Sequence, residues 1–304
     1  VLLWERASQQ SPKRIDTETT AMDQSPDTNI DSILVTLENQ GYIAKSASGV
    51  TFTYKWVHDK IQEAGYYLVP ETERAQFASQ LGNALLNELG QEELESALFV
   101  VVNLLNIGYS GNVKEIGIPP KETDKSADNE RMARLNMLAG RKALFVSAYE
   151  SAAYYADQGI ALVGKDGWFV HSDLMFHLYS ISARAEMLVG RIEKSTERCK
   201  TVVHQEHIPM EQKFEVYATL VDNILAKGKN ARAVEVLLEV LLKFGCHFPT
   251  NSALVIGSLL KDLFRAKNKV NSIDIRKMKK MNDPTRAELM RLLDKLSACM
   301  YIAK

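Results

Sequence analysis

The sequence predicts a mostly α-helical protein in which a short segment with two strands precedes an array of helical hairpins. Val50, Phe52 and Tyr54 alternate with polar residues, which is the period of two expected for a half-buried strand. From about residue 71 onward, apolar residues recur at helical spacing, and short joints of Gly, Pro or polar residues separate the helices. Three of these helical stretches share one layout, which indicates an internal repeat.

The composition is that of an ordinary globular protein. The 304 residues are 46% hydrophobic and 25% charged, so the chain is long enough to bury a sizeable core. The net charge is −1, which gives no overall field to attract nucleic acid or an anionic membrane, and we expect neither as a partner. The longest apolar run is far shorter than the roughly 20 residues that a membrane-spanning helix needs.

The cysteines favour a reducing, cytoplasmic location. There are three, at Cys199, Cys246 and Cys299, and their odd number and wide spacing argue against a disulfide framework. No two of them form the CxxC pair that is typical of a structural zinc site. The chain begins with Val1 rather than Met and has no recognisable signal peptide, so we interpret it as a fragment of a longer protein.

The first ordered region is predicted over residues 30–69. Residues 1–29 are mostly polar and cannot bury enough apolar surface to offset the entropy of ordering, which predicts a disordered linker or insertion. A helix is expected from Ile30, then a strand at GYIAK, a turn at SASG, a second strand at VTFTYK and a helix from about residue 57. Helix, strand, turn, strand and helix in this order are the outline of the C-terminal part of a winged-helix subdomain.

The repeat predicts a TPR-like α-solenoid over residues 70–245. Each of three units joins two helical stretches through a glycine followed by a basic residue, at Gly140, Gly190 and Gly228. A glycine there suits the left-handed turn that ends one helix and lets the next fold back. Because the units match in layout more than in individual residues, a non-repetitive helical bundle is the alternative.

Three further features belong to the helical region. Residues 113–129 are polar and are predicted to form a long internal loop. Residues 246–304 are predicted to extend the solenoid, with a helix that begins at Asp283 and Pro284. Small residues that allow close helix packing recur in the first unit at Ala148, Ala152 and Ala156.

The motifs of common catalytic sites are missing from the sequence, so we expect this chain to carry no enzymatic activity of its own. It contains no GxxxxGK[ST] loop, no GxGxxG, no HRD or DFG kinase motif, no HExxH and no GxSxG. His204 and His207 lie three positions apart, but no third ligand is near them in sequence, so no metal site is predicted. The basic residues between positions 262 and 280 are interpreted as a solvated face.

His58 and Asp59 form the one pair for which a binding role competes with a structural one. They lie where the second strand meets an amphipathic helix that carries Val57, Ile61 and Leu68 on one side. In the structural interpretation Asp59 caps the helix and His58 is partly buried. In the functional interpretation His58 contacts a phosphate at the helix start and completes a site built elsewhere.

The same stretch resembles the junction between the AAA-type module of STAND-class predicted ATPases and their helical repeats. The family motif F-x-H-D-[RK]-[VI]-Q-x-A-[AG]-Y corresponds to WVHDKIQEAGY at residues 56–66. LNMLAGRKA at 135–143 and MNDPTRAELMRLL at 281–293 also resemble this family, so the likeness extends over about residues 30–304. Members of the family are large signalling proteins, often with a Ser/Thr kinase-like domain before the ATPase and sensor or histidine-kinase domains after the repeats.

The resemblance implies that His58 and Asp59 sense nucleotide. In related switch ATPases a Met-His-Asp signature ends the winged helix, and its His contacts the β-phosphate of ADP in the resting state. Here Val57 replaces the Met, whereas His58 and Asp59 match. Because the chain itself lacks a phosphate-binding loop, ADP or ATP with Mg²⁺ is expected only where an upstream ATPase module is present, and this chain alone is expected to hold no cofactor.

Two functions remain open from the sequence. The first is a non-catalytic regulatory and protein-interaction segment of a STAND-type signalling ATPase, which couples nucleotide state to a helical-repeat scaffold. Its partners would be protein domains, either in cis (the upstream ATPase module and downstream signalling domains) or in trans. The alternative is a free-standing TPR-like adaptor with no nucleotide role.

Overall fold

A computed structural model describes residues 30–48, 51–115, 122–248, 261, 263–269 and 282–302. The predicted linker over residues 1–29 lies outside the described residues. The chain divides into two compact units, residues 1–132 and residues 133–304, and each is described by itself. The described residues are mostly helical, as predicted, and their only strands are two that pair with each other.

The first unit begins with the predicted order of helix, strand, strand and helix. Its elements are α1 (Ile30–Asn39), β1 (Ile43–Ser48), β2 (Thr51–Trp56) and α2 (Asp59–Tyr67). The two strands are antiparallel, with Ile43 opposite Trp56 at one end and Ser48 opposite Thr51 at the other. The predicted turn at SASG starts too early, because Ser46 and Ser48 belong to the ladder and the connection between the strands spans only residues 49 and 50.

A helical hairpin follows in the same unit. Helix α3 (Glu71–Glu88) begins directly after Pro70 and packs against α4 (Gln91–Glu115). The two helices approach closely at glycines: a Cβ on Gly82 would lie 2.9 Å from Leu105, and a Cβ on Gly108 would lie 2.6 Å from the Cβ of Ser79. Side chains larger than hydrogen at these two positions would therefore force the helices apart.

The predicted loop over residues 113–129 is wrong at both ends. Helix α4 continues to Glu115, and the next helix, α5 (Glu122–Phe145), already begins at Glu122. The sequence ETDKSADNERMA is polar, yet several of its residues, such as Lys125 and Ala127, are good helix formers. A polar first half of a long helix therefore looked like a loop, because its apolar stripe begins only near residue 132.

The second unit contains the C-terminal part of α5 and a succession of further helices. These are α6 (Tyr149–Val163), the short α7 (Gly167–Val170), α8 (Ser172–Val189), α9 (Ile192–Val203), α10 (Phe214–Ala226), α11 (Asn230–Lys243) and α12 (Pro284–Ile302). Each helix packs on its neighbours in chain order: α6 on α8, α8 on α9 and α10, α9 on α10, α10 on α11, and α11 on α12. A 3₁₀ turn, Met210–Lys213, leads into α10.

Gly190 and Gly228 lie at the helix ends where the sequence places them. Gly190 follows α8 with φ of 93°, and the N–H of Arg191 donates to the carbonyl of Glu186 at 2.8 Å. Gly228 follows α10 with φ of 70°, and the equivalent bond there, from residue 229 to residue 224, measures 3.2 Å. Bonds of this kind satisfy carbonyls that would otherwise be unpaired at a helix end, and the left-handed residue favours glycine.

Gly140 does not form a turn, so that prediction is wrong. It lies inside α5 and is buried, where a Cβ would come within 3.2 Å of Ile181 and 3.5 Å of the carbonyl oxygen of Ala152. Its lack of a side chain lets α5 approach α6 and α8 closely. The turn of this unit comes seven residues later at Ser147, which has a φ of 62°. The glycine-basic pattern therefore matched a packing glycine, and the real turn contains no glycine.

The predicted small-residue stripe does allow close helix packing. Ala152 and Ala156 are fully buried in α6, and a Cβ on Gly159 would lie 2.5 Å from a methyl group of Leu178 on α8. Ala148 instead precedes the helix as its N-cap residue. The stripe therefore runs through Ala152, Ala156 and Gly159, and it sets the short distance between α6 and α8.

The last helix closes the core of the second unit. Helix α12 starts as predicted, and the Asp283 carboxylate accepts the backbone N–H of Arg286 at 3.1 Å. Leu292, Leu296 and Cys299 are buried on its inner side. They complete an apolar cluster with buried residues of α10 and α11: Phe214, Tyr217, Val221, Ala233, Val236, Leu237, Val240 and Leu241.

Candidate functional site

His58 caps helix α2. Its backbone is extended, with φ of −146° and ψ of 139°, directly after β2 and before the first helical residue, Asp59. The Nδ1 atom of His58 accepts the backbone N–H of Lys60 at 3.1 Å. The sequence assigned this cap to Asp59, and the structure gives it to His58. Asp59 instead lies in the first turn, where its negative charge complements the positive end of the helix dipole.

This hydrogen bond determines which nitrogen of the imidazole carries a proton. Because Nδ1 of His58 accepts the N–H of Lys60, the ring proton of the neutral imidazole lies on Nε2. The side chain is exposed, which differs from the partly buried His58 of the structural interpretation. The arrangement therefore presents one N–H donor, Nε2, at the start of a helix, which is chemically suited to a phosphate oxygen.

Helix α2 buries none of its side chains. Val57 and Leu68, which the sequence placed on one apolar stripe, are 57% and 84% exposed. Tyr66 and Tyr67 are also exposed, although both rings lie within 5 Å of the guanidinium carbon of Arg74. The region around His58 is thus an open surface with apolar side chains.

A cluster of six charged residues joins α6, α8 and α9 in the second unit, and sequence reasoning missed it. We call it the charge cluster: Glu150, Asp157, Glu186, Arg191, Lys194 and Arg198. The Glu186 side chain is fully buried and accepts a hydrogen bond from Arg191 Nε, and Lys194 Nζ lies 2.7 Å from its other oxygen. Arg191 also donates to both carboxylate oxygens of Glu150, at 3.1 and 2.9 Å.

Asp157 gathers the remaining cations of the charge cluster. Its carboxylate accepts from Lys194 at 2.6 Å, from Arg198 at 3.0 Å and from the Ser182 hydroxyl at 3.2 Å. Burial alone would lower the pKa of Lys194, but hydrogen bonds to Asp157 and Glu186 outweigh it and raise that pKa. Since each acid in the cluster is paired with cations, the cluster acts as a clamp between helices and not as a catalytic acid.

The signal for the charge cluster was present in the sequence, although it is not a local one. Arg191, Lys194 and Arg198 have the spacing of one helix face, and Glu150 and Asp157 are separated by seven residues, or two helical turns. A basic face on one helix and an acidic face on another predict ion pairs only once their packing is known.

Asp222 makes a similar bridge further along the unit. It lies on α10, and it accepts a hydrogen bond from Arg184 of α8 at 3.2 Å and another from Lys295 of α12. Lys213 is buried before α10, where its ammonium donates to the carbonyls of Val203 and Gln205 at 3.1 and 2.6 Å, after the end of α9. Burial lowers the pKa of Lys213, and the nearby charge of Lys243 adds to this effect.

The histidines considered as metal ligands have other partners. Nδ1 of His204 lies 2.7 Å from the carbonyl oxygen of Lys200, and Nε2 of His207 lies 2.7 Å from the hydroxyl of Ser172. Within the described residues, no group of three or more His, Cys, Asp or Glu side chains is arranged to hold a metal ion.

The cysteines are free thiols in very different surroundings. Cys199 and Cys299 are buried, and Cys246 is partly exposed. Burial raises the pKa of Cys199 to about 12, so this thiol is unreactive near neutral pH. Burial likewise raises the pKa of Cys299.

An open hollow of about 410 Å³ lies beside the turn between α5 and α6. It is lined by Ser147, Ala148, Tyr149, Glu150, Ser151 and Val189. Its floor therefore includes Glu150, which is already paired with Arg191.

Among the described helices, none is both long enough and apolar enough to cross a bilayer. Comparisons with known proteins were made with the whole chain. They found no protein-family model and no curated protein that matches it.

Proposed function

We propose that this chain is a non-catalytic regulatory and protein-interaction segment of a STAND-type signalling ATPase. In this proposal the helix–hairpin–helix region at residues 30–69 is the end of a winged helix, and the helices after it form a TPR-like solenoid. The region would couple the nucleotide state of an upstream ATPase module to the scaffold that binds partners. The parent protein would hold ADP or ATP with Mg²⁺, and its kinase or sensor domains would be partners in cis.

One observation carries the nucleotide part of the proposal, namely the geometry of His58. The imidazole caps α2 through Nδ1 and keeps its Nε2 donor exposed, so capping and phosphate contact do not compete for the same nitrogen. The residues WVHDKIQEAGY, on which the resemblance rests, are those that form this helix start. Lys60 beside it is paired with Glu63, which leaves His58 as the nearest side-chain donor at the helix start.

The scaffold part is supported by the packing of the second unit. Its helices contact their neighbours in chain order, and helices α8 and α10 end in the same glycine turn. Stacking of successive hairpins through such turns is typical of solenoid repeats. Mechanistically, loss or gain of a phosphate contact at His58 would bias an element with two arrangements, as in other nucleotide switches.

The first experiment is to sequence the full transcript through both ends of this chain. An upstream GxxxxGK[ST] loop in the same reading frame would supply the phosphate-binding part that this chain lacks. ADP affinity is then measured by calorimetry on the full-length protein, both unchanged and with His58→Ala. We expect the substitution to weaken ADP binding about tenfold, because it removes a hydrogen bond to a charged group.

A matched variant separates nucleotide sensing from capping. Ser is a good N-cap residue, but it is too short to replace the Nε2 donor, so His58→Ser keeps the cap alone. His58→Ala should cost about 1 kcal/mol of local helix stability, and His58→Ser should restore it. If His58→Ser also restores ADP affinity, the residue is only a cap and the sensing role is lost.

A free-standing TPR-like adaptor remains the second candidate, and the missing catalytic motifs favour it. A transcript with a start codon just before Val1 and a stop codon after Lys304 would establish it. In that case His58 would have no phosphate to meet, and full-length protein and isolated chain would be the same molecule.

A further inference from the structure

We propose that the outward side of α5 is a docking surface for an acidic amphipathic helix. The inference rests on the protein-interaction role proposed above and is independent of any nucleotide role for His58. It names one surface and the chemistry of its partner. We call this surface the α5 stripe, and it consists of Arg134, Leu138, Arg141 and Phe145.

The α5 stripe has the geometry of a helix-pairing seam. Its four residues follow one another at intervals of four, three and four, which places them on one side of the helix. All four are exposed, whereas the opposite side of α5 is fully buried at Ala133, Asn136, Ala139 and Ala143. The helix is thus anchored on one side and presents the other side to solvent.

Two large apolar side chains are exposed within this seam. Phe145 is 90% exposed and Leu138 is 44% exposed, and Val146 beside Phe145 is exposed as well. A single exposed apolar residue is ordinary, but a Leu and a Phe two helical turns apart on an anchored helix form the a/d pattern of a pairing helix. Burial of Phe145 by a partner would therefore contribute most of the apolar energy of the contact.

The charges of the stripe select the partner. Between the apolar side chains lie two arginines and no carboxylate. Arg141 acts beyond its own helix: its positive charge helps to lower the pKa of His177 on α8, after burial as the larger cause. A partner helix with carboxylates beside its apolar residues would pair with both guanidinium groups, which favour bidentate contacts with carboxylates.

The same charges argue against a second copy of the chain as the occupant. Two α5 stripes laid together would bring four guanidinium groups into one contact, and neither stripe supplies a carboxylate. Like charges at an interface suppress such pairing. Charge complementarity thus favours an acidic helix over self-association.

The test uses a defined peptide and the whole chain. The probe is a fluorescein-labelled peptide of three heptads with leucine at a and d and glutamate at e and g, a pattern in which the glutamates discourage the peptide from pairing with itself. Binding is followed by fluorescence anisotropy at low and physiological salt. The control peptide has lysine in place of every glutamate. We expect the acidic peptide to bind in a salt-dependent manner and the lysine peptide not to bind.

Variants then assign the contact to the α5 stripe. The double change Arg134→Glu with Arg141→Glu should weaken the acidic peptide about tenfold or more and create affinity for the lysine peptide. Phe145→Ser should weaken it to a similar extent. Lys200→Glu reverses one exposed charge on α9 and should have no effect. Circular dichroism confirms that each variant is folded.

Several outcomes would overturn the proposal. Acidic-peptide binding that survives both the double charge reversal and Phe145→Ser would place the site elsewhere. A concentration-dependent dimer that the charge reversal changes would make the α5 stripe a contact between copies. Binding of vesicles containing phosphatidylserine, with no binding of the peptide, would assign the stripe to a lipid surface. None of these measurements depends on ADP, so a failure here is distinct from a failure of the His58 experiment.

Discussion

Helix α2 in the first unit and helix α8 in the second differ in what holds them. Helix α2 buries no side chain, and one described bond from the His58 ring caps its start. Helix α8 buries nine residues and is also held through the carboxylate of Glu186. Because most helical stability in proteins comes from packing, α8 is secured by its core, whereas α2 opens at low cost. A region that opens easily is where a ligand can bias the conformation, and a region that does not is suited to carry a surface for partners.

The largest effect is expected for Leu178→Ala, compared with Leu68→Ala. Leu178 is fully buried in α8, and its loss should lower the free energy of unfolding of the second unit by about 2–5 kcal/mol. Leu68 is 84% exposed, so its loss should change stability by less than about 0.5 kcal/mol. Hydrogen exchange by mass spectrometry reports both regions separately. Equal effects at the two positions would mean that α2 has a cover that the described residues do not include.

The next effect tests the charge cluster. Glu186→Ala should cost about 2–3 kcal/mol, because it removes a buried acceptor of two charged donors. Its matched control is Glu150→Ala: the Glu150 side chain is 70% exposed, so this change should cost about 1 kcal/mol or less, although both acids bind Arg191. Urea denaturation measures both values. A loss as small for Glu186 as for Glu150 would reduce the charge cluster to a set of surface ion pairs.

The smallest effect compares the same turn in the two units. Gly190 and Gly41 have φ values of 93° and 73°, and a Cβ would meet no atom within 4 Å at either position. Alanine should therefore cost about 1–2 kcal/mol at each site through backbone strain alone, and asparagine should cost less. In the second unit this loss should appear in global unfolding, whereas at Gly41 it should appear only as faster local exchange. The comparison fails if Gly41→Ala lowers the melting temperature as much as Gly190→Ala.

Periodicity in the sequence predicts the order of the elements but not every boundary. The two strands, the helix after Pro70 and the start of α12 at Pro284 depend on local signals, and they occur where predicted. The turn at Gly140 was misplaced because a glycine can serve close packing as well as a turn, and only the surrounding helices distinguish the two roles. The long loop over residues 113–129 was wrong because polarity alone does not separate a loop from an exposed helix.

The candidate sites divide in the same way. The position of His58 at a helix start follows from the strand and helix patterns on either side of it. Its role as the cap, in place of Asp59, depends on side-chain geometry that no pattern encodes. The charge cluster joins residues as far apart as Glu150 and Arg191, and such a pairing can be predicted only when the packing of α6 on α8 and α9 is known.

The late position of α12 in the chain has a consequence for biosynthesis. The cluster formed by α10 and α11 is closed by Leu292, Leu296 and Cys299, and Lys295 joins Asp222 across 73 residues. While the ribosome is still translating the residues between α11 and α12, the apolar side of α11 has no cover. The second unit therefore finishes folding only after its last helix has been made, and during that interval the nascent chain is a substrate for chaperones.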